Sequence, residues 1–184
     1  MIDPCTLIKR QVFDNFLHKE TFDSISQVAM GNCRDRQVLY KLQESVAKND
    51  DIEKEMPPWN WMAISKIYDH NQILQPPFYA EIADNVLPLI EERVYNFRSI
   101  IRIKANFYPW TNELHHHRYH NDYDWPNIGA VLSMNTCDGY TEFEDGQIVE
   151  SVANRLVVFN AQNLHRSTTT TTTWGRFNIN FNFL

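Results

Sequence analysis

The chain has 184 residues, 43% of them hydrophobic and 22% charged; this ordinary globular usage argues for one compact domain over 1–184 and against disorder, collagen-like repeats or a coiled coil. No apolar run approaches the ~18 to 20 residues of a membrane span, and the opening Met1–Phe16 lacks the apolar core of a secretion signal, so a soluble, cytoplasmic protein with no membrane partner is expected. With 17 basic against 23 acidic residues and a formal net charge of -6, the overall field repels phosphate backbones, and no nucleic-acid partner is expected.

The first ~95 residues carry helix signals and the rest carry strand and turn signals, an α+β order with the change near Asn96. In Thr21–Met30 the residues Phe22, Ile25, Val28 and Ala29 recur at helical spacing, with Thr21 as N-cap and Gly31 as the stop. Cys5, Cys33 and Cys137 are too scattered for a disulfide framework or a paired zinc motif and read as free thiols. Asn49–Pro58 is acidic and proline-bearing, a solvated loop before the aromatic pair Trp59 and Trp61. After Pro76-Pro77, the spacing of Phe78, Ile82, Val86 and Ile90 predicts a helix to about Arg93, kinked or split at Pro88.

From Ser99 the period becomes two. Ile101, Ile103, Ala105 and Phe107 share one face of a strand, and Arg102, Lys104, Asn106 and Tyr108 share the other. The closing segment repeats this, with Phe177, Ile179, Phe181 and Phe183 opposite Arg176, Asn178, Asn180 and Asn182. Further strands are expected at Ile128–Asn135, Arg155–Asn160 and Leu164–Thr172, with turns at Asp138-Gly139, Asp145-Gly146 and Asn160–Asn163. Short antiparallel strands at this spacing imply a sandwich or barrel. Polar faces turned into its interior need polar partners, which a site for a polar ligand supplies. The apolar faces then point outward and need the N-terminal helices as cover.

The chemistry concentrates in the histidines. In His120-Asn121-Asp122 the i and i+2 side chains of a strand share a face, so an imidazole and a carboxylate converge on one metal. His18-Lys19-Glu20 has the same spacing, so the pair needs a third ligand. His165 supplies one, at the start of a predicted strand, with Arg176 eleven positions further on. Two imidazoles and one carboxylate on one face of a metal leave three positions open, which suits Fe(II) binding a chelating cosubstrate together with O2; Arg176 is then placed to clamp a distal carboxylate.

This order, HxD followed by a distal histidine and an arginine after ten intervening residues, on short strands after helices, resembles the 2-oxoglutarate/Fe(II)-dependent oxygenases. Within them it resembles the prolyl 4-hydroxylase-like branch, particularly small stand-alone members from bacteria and their viruses. Val12–Leu17 is similar to that branch's opening segment and Gly139–Phe143 to its GGxTxF-like hairpin. The resemblance implies a double-stranded β-helix of jelly-roll or cupin type, with His120, Asp122 and His165 as iron ligands and Arg176 as the partner of the 2-oxoglutarate C5 carboxylate. It also places Tyr108 near the cosubstrate. Ser133, in Ser133-Met-Asn135, stands where the branch commonly has the tyrosine of a YLN sequence. The implied activity is hydroxylation, since halogenating relatives generally have a small residue in place of Asp122; the substrate is a small molecule or peptide, such as peptidyl proline or a free amino acid.

Two other functions fit parts of the pattern: a cupin-like metal-binding β-barrel that does not use 2-oxoglutarate, and a non-enzymatic binding module. Arg176 discriminates the first of these from the oxygenase. His115, His116 and His117 read as loop residues without a second metal. If the strand of His120 extends that far, parity puts His116 and Arg118 at the mouth and turns His115 and His117 away. Asp124 reads as a surface or supporting carboxylate, and Glu142, Glu144 and Asp145 as a solvated hairpin tip. The aromatic linker Trp110–Asn127, with Trp59 and Trp61, is expected as a lid over the substrate mouth.

Overall fold

The two alternating segments are paired neighbours, and the rest of the fold is arranged around them. The computed structural model describes residues 9–47, 57–94 and 97–184. In chain order its first elements are β1 (Gln11–Phe13), α1 (Lys19–Ala29), β2 (Lys41–Gln43), β3 (Met62–Asp69), β4 (Gln72–Ile73), α2 (Pro76–Asn85) and α3 (Leu87–Arg93). There follow β5 (Ile100–Pro109), β6 (Ile128–Ser133), β7 (Tyr140–Phe143), β8 (Ile148–Glu150), β9 (Leu156–Asn160), β10 (His165–Ser167) and β11 (Gly175–Phe183).

The large sheet runs β1-β9-β6-β11-β5-β3-β2, with β4 attached to β3, and a small sheet runs β10-β7-β8. Together they form an open double-stranded β-helix. In the β5–β11 pair Arg176 lies opposite Tyr108, Asn178 opposite Asn106, Asn180 opposite Lys104 and Asn182 opposite Arg102. The polar ribbon therefore faces inward. The outward residues Ile103, Ala105, Phe177, Ile179, Phe181 and Phe183 join Phe22, Ile25 and Val28 of α1, Phe78 and Ile82 of α2, and Ile90 of α3 in one apolar layer. Each buried Phe contributes ~1.5 to 3 kcal/mol of transfer free energy, so this layer fixes which face of the ribbon is the interior.

α1 begins at Lys19 rather than after Thr21, with His18 in the N-cap position and no side-chain cap. Its end is as expected: Gly31 takes φ +72°, and the Asn32 N–H reaches back to the Gln27 carbonyl at 2.8 Å, a Schellman closure that favours glycine. Pro88 splits the second helical segment into α2 and α3, because it has no N–H to offer the carbonyl four residues back. No helix among the described residues is long and apolar enough to cross a membrane.

The N-terminal half departs from its expected helical character by contributing β1 to β4. β3 pairs with β5 inside the large sheet, but its register shifts between Lys66 and Tyr68, and that bulge breaks the period of two. The expected Leu164–Thr172 strand is regular only over β10. Beyond it Thr170, Thr171 and Thr172 turn their hydroxyls onto the Asp138 carboxylate, so the threonine run wraps an acid and does not pair as a strand. Cys33 and Cys137 are free thiols. Cys5, the residues from Asn49 to Met56 and the boundary at Asn96 lie outside the described residues.

Candidate active site

His120, Asp122 and His165 converge at the mouth of the β-helix, with ligand atoms all within 4.8 Å of one another. Only His165 belongs to a regular strand. His120 joins it by an isolated antiparallel bridge, with N–H to carbonyl bonds of 2.9 Å in both directions. That single bridge does what the sequence reading assigned to a full strand: it sets His120 across from His165 and carries Asp122 to the same side.

Both imidazoles are oriented by main chain. His165 Nδ1 lies 3.0 Å from the Asn163 carbonyl and His120 Nδ1 3.3 Å from the Arg118 carbonyl. A carbonyl only accepts, so each Nδ1 carries the proton and each Nε2 keeps a lone pair for a metal. Burial, reinforced by His165, pulls His120 down to about 4, so it is a neutral ligand at physiological pH. Asp122 Oδ1 accepts from Arg102 Nη2 at 2.9 Å and Oδ2 from Asn182 Nδ2 at 2.9 Å. Burial alone would raise this carboxyl, but the charges of Arg102, His165 and Lys104 outweigh it and hold it well below the usual range. Two imidazoles with Nε2 turned to one point and an ionised carboxylate are a donor set that fits Fe(II).

Deeper in, Arg176 is 1% exposed. Its Nη2 donates to Thr141 Oγ1 at 2.9 Å and its Nη1 to the Thr168 carbonyl at 3.5 Å. Its Nε has no partner, and no carboxylate pairs with it among the described residues. The guanidinium sits 5.4 Å from the Tyr108 ring centroid. A buried cation without a counter-ion is costly, and the two groups it touches, Thr141 and Tyr108, line a cavity together with Asn106, Asn178 and the three candidate ligands. Gly139 is needed at this point, since a Cβ there would meet Arg176 Cδ and the Thr169 carbonyl, each at 2.8 Å.

Other expected positions divide. Ser133 is on the inner face, but its hydroxyl is 3.5 Å from that of Ser151 and it does not line the cavity. His116 faces outward to the Tyr140 hydroxyl at 2.7 Å. His117 is 2% exposed, with Nδ1 at 2.9 Å from Ser167 Oγ and its ring 5.4 Å from Tyr108. Parity fails for this pair because 115–120 is not a continuous strand. Burial, with help from Arg176, holds His117 at about 3. Asp124 is exposed. Glu142 is no free hairpin tip, because it accepts from Tyr119 and Arg166, both at 2.9 Å.

The expected aromatic lid is not one cluster. Tyr123 and Trp125 pack together at 4.7 Å with Arg102 over the Tyr123 ring, beside the candidate metal ligands. Trp110 sits at the other end of the ribbon, with its indole N–H on the Thr171 carbonyl, while Trp61 and Trp174 flank Phe107 on the outer face. Trp59 stacks on His115. Arg102, Lys104 and Asn182 were placed on the polar face by their parity, but nothing in the sequence spacing joins Arg102 to Asp122.

The open double-stranded β-helix with this inward ribbon is the fold of the 2-oxoglutarate/Fe(II) oxygenases. Among solved structures, the chain is similar to a Burkholderia pseudomallei oxidoreductase of the 2OG-Fe(II) oxygenase family (TM-score 0.67, 10% identity, covering 97% of this chain and 86% of that one). It is also similar to a Trichoplax adhaerens prolyl hydroxylase, solved with a hypoxia inducible factor oxygen degradation domain peptide (0.64, 14%, 97% and 84%). A third is a Pseudomonas putida prolyl-4-hydroxylase (0.60, 15%, 97% and 94%). No protein-family model and no curated protein matches the chain.

Proposed function

We propose that the chain is a non-haem Fe(II)- and 2-oxoglutarate-dependent dioxygenase, a hydroxylase built as one domain over 1–184. The observation that carries this reading is the pairing of a ready three-ligand group with the buried, uncompensated Arg176. A cupin-like metal barrel has no use for that cation, whereas a dicarboxylic cosubstrate neutralises it. The solved neighbours are oxygenases of this kind, which supports the same conclusion.

In this reading His120, Asp122 and His165 hold Fe(II), and Arg176, with Thr141 and Tyr108 beside it, receives the C5 carboxylate of 2-oxoglutarate. Fe(II) with bound 2-oxoglutarate and O2 supplies the oxidant that hydroxylates a substrate carbon while 2-oxoglutarate becomes succinate and carbon dioxide. The chain's own work is placement. The carbonyls of Arg118 and Asn163 keep both Nε2 lone pairs aimed at one point, and Arg102 and Asn182 hold the carboxylate ionised. Ser133, behind this ring against Ser151, lends cosubstrate binding only indirect support. The free Cys33 and Cys137 support a cytoplasmic location.

The test is anaerobic addition of Fe(II) and 2-oxoglutarate together. The expected result is a charge-transfer absorption and a rise in melting temperature that neither gives alone and that Arg176→Met loses. An absorption formed equally well by Arg176→Met would assign the metal group to a protein that does not use this cosubstrate.

A further inference from the structure

Lys104 stands on the inward ribbon and lines the same cavity as His120, Asp122 and His165. The largest charge effects on its ammonium come from Arg102, Asp122, Lys66 and Asp69. They cancel in pairs. Arg102 bonds Asp122 at 2.9 Å, and Lys66 bonds Asp69 at 2.6 Å. Lys104 itself makes no hydrogen bond or ion pair among the described residues, so one positive charge is left over. Burial, with Arg102 and Lys66 nearby, pulls the ammonium down to about 8.

Directly across the ribbon lies Asn180, whose buried Oδ1 has no donor. An unanswered cation and an unanswered acceptor thus sit side by side. The cosubstrate does not explain them. In the oxygenase reading its distal carboxylate is on Arg176 and its near end is on the metal, so both of its carboxylates already have partners. Arg176 is not among the largest charge effects on Lys104.

We propose that Lys104 and Asn180 form the substrate anchor, Lys104 taking a carboxylate and Asn180 Oδ1 taking an ammonium, so that the substrate is a free α-amino acid and not a residue inside a peptide. This deepens the oxygenase reading and rests on it. One carboxylate answers the single surplus charge of Lys104; a phosphate dianion would leave negative charge beside Asp122 and Asp69. A residue within a peptide offers neither the α-carboxylate nor the α-ammonium, and no single side chain offers both groups.

The experiment measures binding to the Fe(II)- and 2-oxoglutarate-loaded protein, without O2, of the common L-amino acids, their carboxamides, their N-acetyl derivatives, and end-capped peptides including proline, aspartate and glutamate. The expected result is that at least one free amino acid binds and that its carboxamide and N-acetyl form each bind about tenfold or more weakly, the loss of one charge-assisted hydrogen bond. Lys104→Met should lower that affinity by a similar factor and Lys104→Arg should restore most of it. Lys104→Met removes an unpaired, half-buried cation, so its melting temperature should match or exceed that of the parent, which separates a binding role from a structural one. The inference is overturned if no free amino acid binds, if carboxamides bind equally, if only capped peptides bind, or if Lys104→Met binds as the parent does. Failure of the oxygenase reading looks different, because the parent protein would then give no charge-transfer absorption with Fe(II) and 2-oxoglutarate.

Discussion

The β5–β11 ribbon has two ends that handle charge in opposite ways. At the outer end Arg102, Asp122 and Asn182 bond one another. At the inner end Arg176 has only a hydroxyl and a carbonyl. The same residue type, facing the same way on adjacent strands, is bound into a network at one end and left in want of a partner at the other. A network made of protein groups holds a geometry; a deficit left in the fold is shaped for something that arrives later.

The largest expected effect is at the outer end. His165→Ala removes one of the three ligand atoms, and iron-dependent succinate formation should fall to background. Its check is the anaerobic absorption with Fe(II) and 2-oxoglutarate, which should vanish with it; an undiminished band would remove His165 from the metal group.

Next, one substitution made at both ends should give opposite signs. Arg102→Met strands the buried Asp122 carboxylate and should cost about 3–5 kcal/mol of stability in the metal-free protein by urea unfolding. Arg176→Met should leave that stability unchanged or raise it, while weakening 2-oxoglutarate binding by about a hundredfold or more. If both variants lost stability alike, the contrast between the two ends would be false.

The outward face of the ribbon supplies a control of comparable size without chemistry. Phe181 is fully buried in the helix-covered layer, so Phe181→Ala should cost about 3–5 kcal/mol. Anaerobic iron binding, measured below the variant's melting temperature, should persist, because Asn180 and Asn182 keep the opposite parity.

The smallest effect is one histidine's share of a slope. His120 and His117 are held neutral in the fold, at about 4 and about 3, while an unfolded histidine titrates near ~6.5. Between those values the unfolded chain carries more protons, so stability of the metal-free protein should fall as pH drops below about 6.5 and level off near the folded values, at up to ~1.4 kcal/mol per pH unit for each group. His117→Gln should roughly halve the slope in urea titrations between pH 6 and 4.5; an unchanged slope would relieve His117 of this role.

Legibility in the sequence followed regularity. β5 and β11 stood out because nothing interrupts their alternation over the stretches that matter, and the inward polar face followed from counting parity. β3 was hidden by its bulge at Lys66–Tyr68, which puts two patterns out of phase inside one strand. β1 and β2 have three residues each, too few for any period. The ligand residues were found through spacing and resemblance, yet the reason they meet is different from the one expected, a single bridge instead of a strand. The Arg102–Asp122 pair was invisible because it depends on how the linker after β5 folds back, and its residues carry no periodic signal. The same holds for His117, turned inward by local chain geometry.

The locks on the two histidines bear on how this site tolerates change. Each imidazole is held by the carbonyl two positions upstream, so the side chains at positions 118 and 163 are not what does the holding. A support made of side chains is lost when the residue that carries it is replaced. One made of backbone is lost only when the chain itself moves. His120 and His165 are thereby insulated from point mutation around them, whereas Asp122, propped by the side chains of Arg102 and Asn182, is exposed to it. Drift in the surroundings of this centre should therefore reach the carboxylate first, and metal affinity should survive Asn163→Ala while it suffers from Asn182→Ala.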